Sequence, residues 1–362
     1  AGAIITSENW IQDYEKRYED ARQQWKEKVL EEAKKVENPF DAYAANPFDF
    51  PEGRQIIEKD LKGALSIIYV ISRISGEGKD RKLEKGDYYL SLKEREDIHY
   101  LNSYGIPMIL IINAGGPVEI TDILQEAENI CAVLNISQPG QEGGHAVADI
   151  LYGKVVPEGK LTATWARRYE DYPFASNYSY LNGDLEKEEY GEEIYVGYRY
   201  FDSFGVEPLF PFGYGLSYTS FKIDFQELQI KEHSMQITVL VENTGEKFAG
   251  REVVQVYATL PQSGMTKEYQ RLIGFAKTDL LQPGESETIS IQIHQKQLAV
   301  FSETQQEWRV EKGIYGIWIG NSSAATKLSA FINVSEDSMI EKTHQICIQK
   351  ENFERLEAAQ YA

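Results

Sequence analysis

Cysteine is nearly absent from this chain: there are two in 362 residues, Cys131 and Cys347. Two cysteines build no disulfide framework, and neither belongs to a zinc-type spacing, so a stapled mini-fold and a zinc module are both excluded. Cys131 opens an apolar stretch and is expected to be a buried small hydrophobe. Histidine is also scarce: His99, His145, His233, His294 and His344 are scattered, with no pair at metal-ligand spacing. Basic residues are outnumbered, 37 Lys and Arg against 57 Asp and Glu, giving a formal net charge of -20. That is the opposite of a nucleic-acid-binding footprint, and an acidic surface mainly confers solubility. No apolar run approaches the roughly 20 residues of a membrane-spanning helix, and no secretory signal is visible. These absences lead us to expect a cytoplasmic chain with no nucleic-acid partner, no membrane partner and no metal. Neither a Gly-x-Ser-x-Gly nucleophile elbow nor a phosphate-binding loop occurs. The chain starts at Ala1-Gly2 without methionine, so an upstream segment is expected to be missing.

What the chain does contain is globular. Aromatics at 12% and hydrophobic residues at 42% exclude a disordered or fibrous protein, and the length suffices for two domains with real cores. Residues 8–35 read as one amphipathic helix, because Trp10, Tyr14, Tyr18, Ala21, Trp25 and Val29 recur at three- and four-residue spacing. Asn38 to Arg54, with its prolines and two Asn-Pro-Phe repeats, reads as a loop. Three apolar strands follow, Ala64–Arg73, Ile106–Ile112 and Cys131–Ile136, each ending in a loop of small and polar residues and each succeeded by a helical pattern. Continuous apolar strands alternating with helices predict a parallel sheet covered on both faces. Parallel connections would place all three loops on one sheet edge, bringing Glu77, Asn113, Gln141 and Glu142 together. From Tyr169 to Tyr218 tyrosines crowd an irregular stretch, expected to be a connector packed on the first domain. After Phe221, short alternating strands with turn signals predict an antiparallel β-sandwich. The expected divisions are an α/β sandwich domain over 1–168, the connector over 169–217, the β-sandwich over 218–335 and a polar, weakly helical tail over 336–362. The fold class is thus α/β plus all-β.

The loop after the first strand carries the most chemistry. Ser75-Gly76-Glu77-Gly78 follows Arg73, and Lys79, Asp80, Arg81, Glu84 and Asp87 come next. Ligands of open α/β sheets gather outside the carboxyl ends of the strands. Flanking glycines let the backbone approach a ligand, so Glu77 is placed as a working carboxylate. Gln141 and Glu142 read as caps of the helix that follows, where an acid suits the helix dipole. His145 reads as a packing or hydrogen-bonding residue, and the Tyr195–Phe201 cluster as core.

Several segments together resemble the C-terminal half of glycoside hydrolase family 3, the β-glucosidase and β-xylosidase type. Arg73-Ile-Ser-Gly-Glu-Gly-Lys-Asp-Arg81 with Gly86-Asp87 is similar to the family's acid/base loop, and Gln138-Pro-Gly-Gln-Glu-Gly-Gly144 to its sheet-edge signature. Ile194-Tyr-Val-Gly-Tyr-Arg-Tyr-Phe201 followed by Pro211-Phe-Gly-Tyr-Gly-Leu-Ser-Tyr218 is the most specific match. The last domain resembles the fibronectin type III-like module that closes such enzymes. The chain departs from the family in lacking the (β/α)8 barrel that carries the nucleophilic aspartate. The family's first strand and Gly/Ser-rich segment, expected before Ala1, are also not seen.

The resemblance implies a retaining β-glycosidase acting on terminal β-linked sugars. Such enzymes need two carboxyl groups about 5 Å apart, one attacking the anomeric carbon and one acting as acid, then base. The acid must keep its proton near neutral pH, which partial burial or a nearby anion achieves. Glu77 is the candidate general acid/base, with Glu84 as runner-up. Arg73, Lys79, Asp80 and Arg81 are the candidate substrate-binding or loop-shaping groups. The implied partners are a β-linked oligosaccharide or glycoside and a barrel domain in cis or trans, with no cofactor. The alternative is a non-catalytic carbohydrate-binding or scaffold module.

Overall fold

The computed structural model describes residues 2–74, 81–184, 186–262, 265–346 and 352–357, and the chain divides into two compact units, Ala1–Gly140 and Gln141–Ala362. The first unit opens with α1 (Glu8–Ala33), the helix that the aromatic spacing predicts. Its Trp10 stacks on Tyr14, and its Tyr18 and Trp25 pack on Phe48, with Tyr43 and Phe50 completing the cluster. Those partners come from the segment that reads as a loop, yet it contains the helix α2 (Pro39–Ala45). Asn38 caps it by accepting from the Phe40 N–H, and Pro39 occupies the first turn, where the lost donor is not needed. The same proline that signals a loop therefore starts a helix. A short helix α3 (Glu58–Leu61) follows, with the Arg54 fork on Asp60 at 2.8 and 2.7 Å.

Then come β1 (Ile67–Ser72), α4 (Leu92–Asn102), β2 (Met108–Asn113), α5 (Thr121–Glu126) and β3 (Ile130–Asn135). The three strands form one parallel sheet in the order β1-β2-β3. Ser72 lies opposite Asn113, and Ile112 opposite Asn135, so the three carboxyl ends are level and present their loops to one edge. Ile71, Leu110 and Ile112 are buried, as are Ile98 and Leu101 of α4 and Ile123 of α5, so apolar burial holds the helices to the sheet. Cys131 departs from expectation: it is exposed, because β3 is the outer strand of the described sheet.

The second unit contains α6 (Gly143–Leu151), α7 (Tyr198–Phe204) and an antiparallel β-sandwich. Its strands are β4 (Phe221–Lys231), β5 (Ser234–Asn243), β6 (Val253–Thr259), β7 (Arg271–Lys277), β8 (Ser286–His294), β9 (Val300–Ser302), β10 (Glu307–Val310), β11 (Gly313–Gly320), β12 (Thr326–Val334) and β13 (Ser338–Lys342). Sheets β12-β11-β6-β7 and β4-β5-β8 enclose a core that includes Ile237, Val239, Val241, Val254, Val256 and Ile317. The alternation along β5 is strict, every second residue from Met235 being buried, as one solvated face requires. The polar tail is not helical where described. Ser338–Lys342 instead adds β13 antiparallel to β10.

The tyrosine-rich connector packs against the sandwich. Tyr195 donates to the Lys267 carbonyl at 3.2 Å, the Tyr198 hydroxyl accepts from the Leu272 N–H at 2.8 Å, and the Tyr198 and Tyr257 rings meet edge to face. The Pro211–Tyr218 stretch needs its glycines for close approach. A Cβ on Gly213 would lie 2.3 Å from Gln255, and one on Gly215 would lie 2.4 Å from the Gly159 carbonyl oxygen. Tyr195 and Phe201 are core, as their spacing suggests.

Burial of the connector has an acid-base consequence. Asp202 of α7 is pushed from its ordinary 3.8 up to about 6 by desolvation, partly opposed by a bond from the Gln270 amide. The folded state then holds this proton more tightly than the unfolded chain does. Stability from this group is therefore full below pH ~4 and lost as pH rises through ~6, with an upper size of about 3 kcal/mol at 1.36 kcal/mol per unit. We expect Asp202→Asn to raise the neutral-pH melting temperature of the second unit and to flatten its pH dependence between 4 and 6. Equal pH profiles for the two proteins in calorimetry would refute this. Among the described residues, no helix is long and apolar enough to cross a membrane.

Candidate active site

The sheet's carboxyl edge is organised by two arginines flanking the Ser75–Asp80 segment. Glu77, Lys79 and Asp80 lie outside the described residues, so the structure speaks to what holds the ends of their loop. Arg73 leaves β1 with its N–H donating to the Asn113 carbonyl at 2.9 Å. Its side chain is only 4% exposed and pairs with Glu94 in a fork, 2.7 and 2.9 Å. Nε donates to the Asp87 carbonyl at 2.6 Å, and the remaining N–H groups go to the Ser72 and Tyr89 carbonyls. All five guanidinium donors are thereby engaged, leaving none for a sugar in this arrangement.

Arg81, where the described chain resumes, converges on the same point. Its Nη2 donates to the Asp87 carbonyl at 2.6 Å, its Nε to Asp87 Oδ1 at 2.7 Å, and its Nη1 to the Pro117 carbonyl at 2.5 Å. The carbonyl of Asp87 thus accepts from both arginines, and its second carboxylate oxygen takes the Lys82 N–H at 2.7 Å. Asp87 sits in a turn in which Gly86 adopts φ +89°, a conformation that disfavours any side chain. Among the described residues these bonds use three of Arg81's five donors.

The expectation that three loops meet is met within the first unit. Arg81 ties the first loop to Pro117 of the second, and Gln138 of the third donates its Nε2 to the Arg73 carbonyl at 2.9 Å. Ser137 and Gln138 adopt φ of +47° and +56°, strained backbone that turns the Gln138 amide toward β1. At the strand ends, Asn113 Nδ2 donates to Ser72 Oγ at 3.4 Å and Asn135 Nδ2 to Ser137 Oγ at 3.2 Å. The Oδ1 atoms of both asparagines are buried without a protein partner. They are unmatched acceptors at the carboxyl ends of β2 and β3.

Glu84 is a different kind of acid. Its side chain is 60% exposed, with Lys82 Nζ at 3.8 Å as its ionic neighbour. Gln141 and Glu142 fall in the second unit. Glu142 precedes α6 without making a side-chain cap and instead reaches His145 Nδ1 at 2.5 Å.

Three contributors escape a reading for charged loop residues. Glu94 is one, and its signal was the Ser91-x-x-Glu94 capping box: Ser91 Oγ accepts from the Glu94 N–H at 3.0 Å, and Glu94 Oε2 accepts from the Ser91 N–H at 2.7 Å. The same carboxylate grips Arg73, coupling α4 to the loop base. Asp87 and Gln138 are the others: the Asp87 carbonyl accepts from both arginines, and the Gln138 amide donates to the Arg73 carbonyl, and sequence does not mark a carbonyl as an acceptor.

A family model described as the glycosyl hydrolase family 3 C-terminal domain matches residues 9–218, and one described as a fibronectin type III-like domain matches 252–323. Beta-glucosidase A of Butyrivibrio fibrisolvens is 35% identical over 305 residues, covering 72% of this chain and 36% of that protein. Among solved structures, beta-glucosidase 3B from Thermotoga neapolitana superposes with a TM-score of 0.75 at 39% identity, over 82% of this chain and 42% of that one. A beta-glucosidase from Paenibacillus barengoltzii gives a TM-score of 0.78 at 32% identity, over 90% of this chain and 37% of that one. The chain therefore spans well under half the length of these relatives.

Proposed function

Because the chain belongs to glycosyl hydrolase family 3, as its C-terminal α/β domain followed by a fibronectin type III-like domain, we propose that it supplies the general acid/base of a retaining β-glycosidase. Glu77 is that residue, and the nucleophilic aspartate comes from a (β/α)8 barrel in cis or trans. The substrate is a terminal β-linked sugar of β-glucoside type. The observation that carries this reading is the paired grip of Arg73 and Arg81 on the Asp87 carbonyl. It fixes Arg73 and Arg81, the described residues on either side of the Glu77 segment, at the carboxyl edge of β1.

Within this reading Arg73 braces the loop base, whereas Arg81 retains donors for a sugar hydroxyl. Lys79 and Asp80 are the remaining substrate contacts, and Glu84 stays the weaker candidate acid because of its exposure. A carboxylic acid on a loop that closes against a second domain loses water on closure, which raises its pKa into the working range. The acid then protonates the leaving oxygen and afterwards deprotonates the incoming water.

The test is complementation. We expect the chain alone to hydrolyse an aryl β-glucoside at background rate, and co-expression with a family 3 barrel segment to restore turnover. Saturable sugar binding without any gain of activity in the combined protein would favour a carbohydrate-binding module instead.

A further inference from the structure

The second unit holds a half-open cleft of about 250 Å³ where α7 meets the outer face of β11, lined by Asp202, Tyr269, Gln270, Trp318, Ser323 and Thr326. Its polar groups are incompletely satisfied. Ser323 is 4% exposed, and its hydroxyl has no hydrogen-bond partner. The Asp202 carboxylate accepts from Gln270 Nε2 at 2.7 Å, and that amide is held in place by a second bond to the Ser323 carbonyl at 2.8 Å. Trp318 directs its Nε1–H to Thr259 Oγ1 at 3.3 Å and is the indole among the lining residues.

A buried hydroxyl without a partner is costly, and so is a desolvated carboxylate with little hydrogen bonding. Both residues line the same cleft. One bridging water, with a share of roughly 30 Å³ in the liquid, would occupy a small part of it. Among the described residues Asp202 is the one acid lining the cleft, so a cation has a single carboxylate to bind, whereas an anionic ligand would meet Asp202 unfavourably. Hydroxyl donors for the carboxylate, a donor–acceptor for Ser323 and an apolar face for the indole describe one ligand class, a neutral pyranose ring.

We propose that this cleft binds a neutral sugar, with one hydroxyl donating to Asp202, a neighbouring hydroxyl bonded to Ser323, and a C–H face against Trp318. The argument uses no property of Glu77. It is tested on the full chain by following indole N–H signals in NMR, with the Trp318 signal assigned through Trp318→Phe, during titration with methyl β-D-glucopyranoside. The expected result is a saturable shift of that signal with a Kd on the order of 1 mM. The shift should weaken about tenfold in Ser323→Ala and in Asp202→Ala, be weaker for Asp202→Asn than for wild type, and persist in Glu77→Gln. Methyl β-D-glucuronide, being anionic, should shift it less. Because Asp202→Asn is expected to melt no lower than wild type, its result stands even if the alanine variant does not fold. An absent or non-saturating shift, wild-type affinity in folded Asp202→Asn and Ser323→Ala, or loss of the shift in Glu77→Gln would each overturn the proposal.

Discussion

Replacing Glu77 by Gln in the chain combined with its barrel is expected to lower kcat/KM on an alkyl β-glucoside by ~10²–10⁴-fold, the usual worth of a positioned general acid. The loss should depend on the leaving group. An alkoxide needs its proton early, so the acid matters most there, whereas a nitrophenolate departs without one and its glycosylation step should be nearly spared. Hydrolysis of the glycosyl-enzyme then becomes limiting, because the same residue serves as base toward water. Glu84→Gln should change these parameters less than twofold, since that carboxylate is solvated beside Lys82. Equal losses for good and poor leaving groups would instead indicate a binding or positioning role for Glu77.

The second large effect concerns stability. Arg73→Ala would strand the Glu94 carboxylate, whose side chain is 16% exposed, and remove bonds to Asp87, Ser72 and Tyr89 carbonyls. Breaking one side of a buried ion pair typically costs about 3–5 kcal/mol, and that is the expected loss, read by native-state hydrogen exchange of β1 and β2 amides. Arg73→Lys should recover little of it, because an ammonium cannot reproduce the fork on Glu94 or reach the Asp87 carbonyl at the same time. The double variant Arg73→Met with Glu94→Gln should be less destabilised than Arg73→Ala, as it leaves no unpaired charge. Additive losses in that pair would mean that the two residues do not act as one unit.

The parallel sheet was legible because β1, β2 and β3 are short apolar runs bounded by turn residues, and buried parallel strands read that way. The sandwich was legible from alternation, clearest in β5. What escaped depended on partners distant in sequence. The segment around Pro39 carries loop signals, but Asn38 caps it into a helix that supplies aromatic partners for α1. Ser338–Lys342 has no strong strand pattern and becomes β13 only because β10 offers an edge. Cys131 reads as core, yet lies on an outer strand, a position set by which strands flank it. At the site, the charged loop announced itself through Gly76-Glu77-Gly78, whereas the clamp did not. Arg73 and Arg81 are held mainly by carbonyl oxygens, and no side-chain pattern marks a carbonyl as an acceptor.

The central claim is that the proton donor of a split catalytic pair is Glu77. The pH dependence of kcat/KM in the combined protein tests it most directly. Wild type should give a bell whose alkaline limb reports the acid of the unliganded enzyme. In Glu77→Gln, assayed on an aryl glucoside with a good leaving group, that limb should vanish while the acidic limb, belonging to the nucleophile, stays. An alkaline limb retained at its wild-type position would contradict the account.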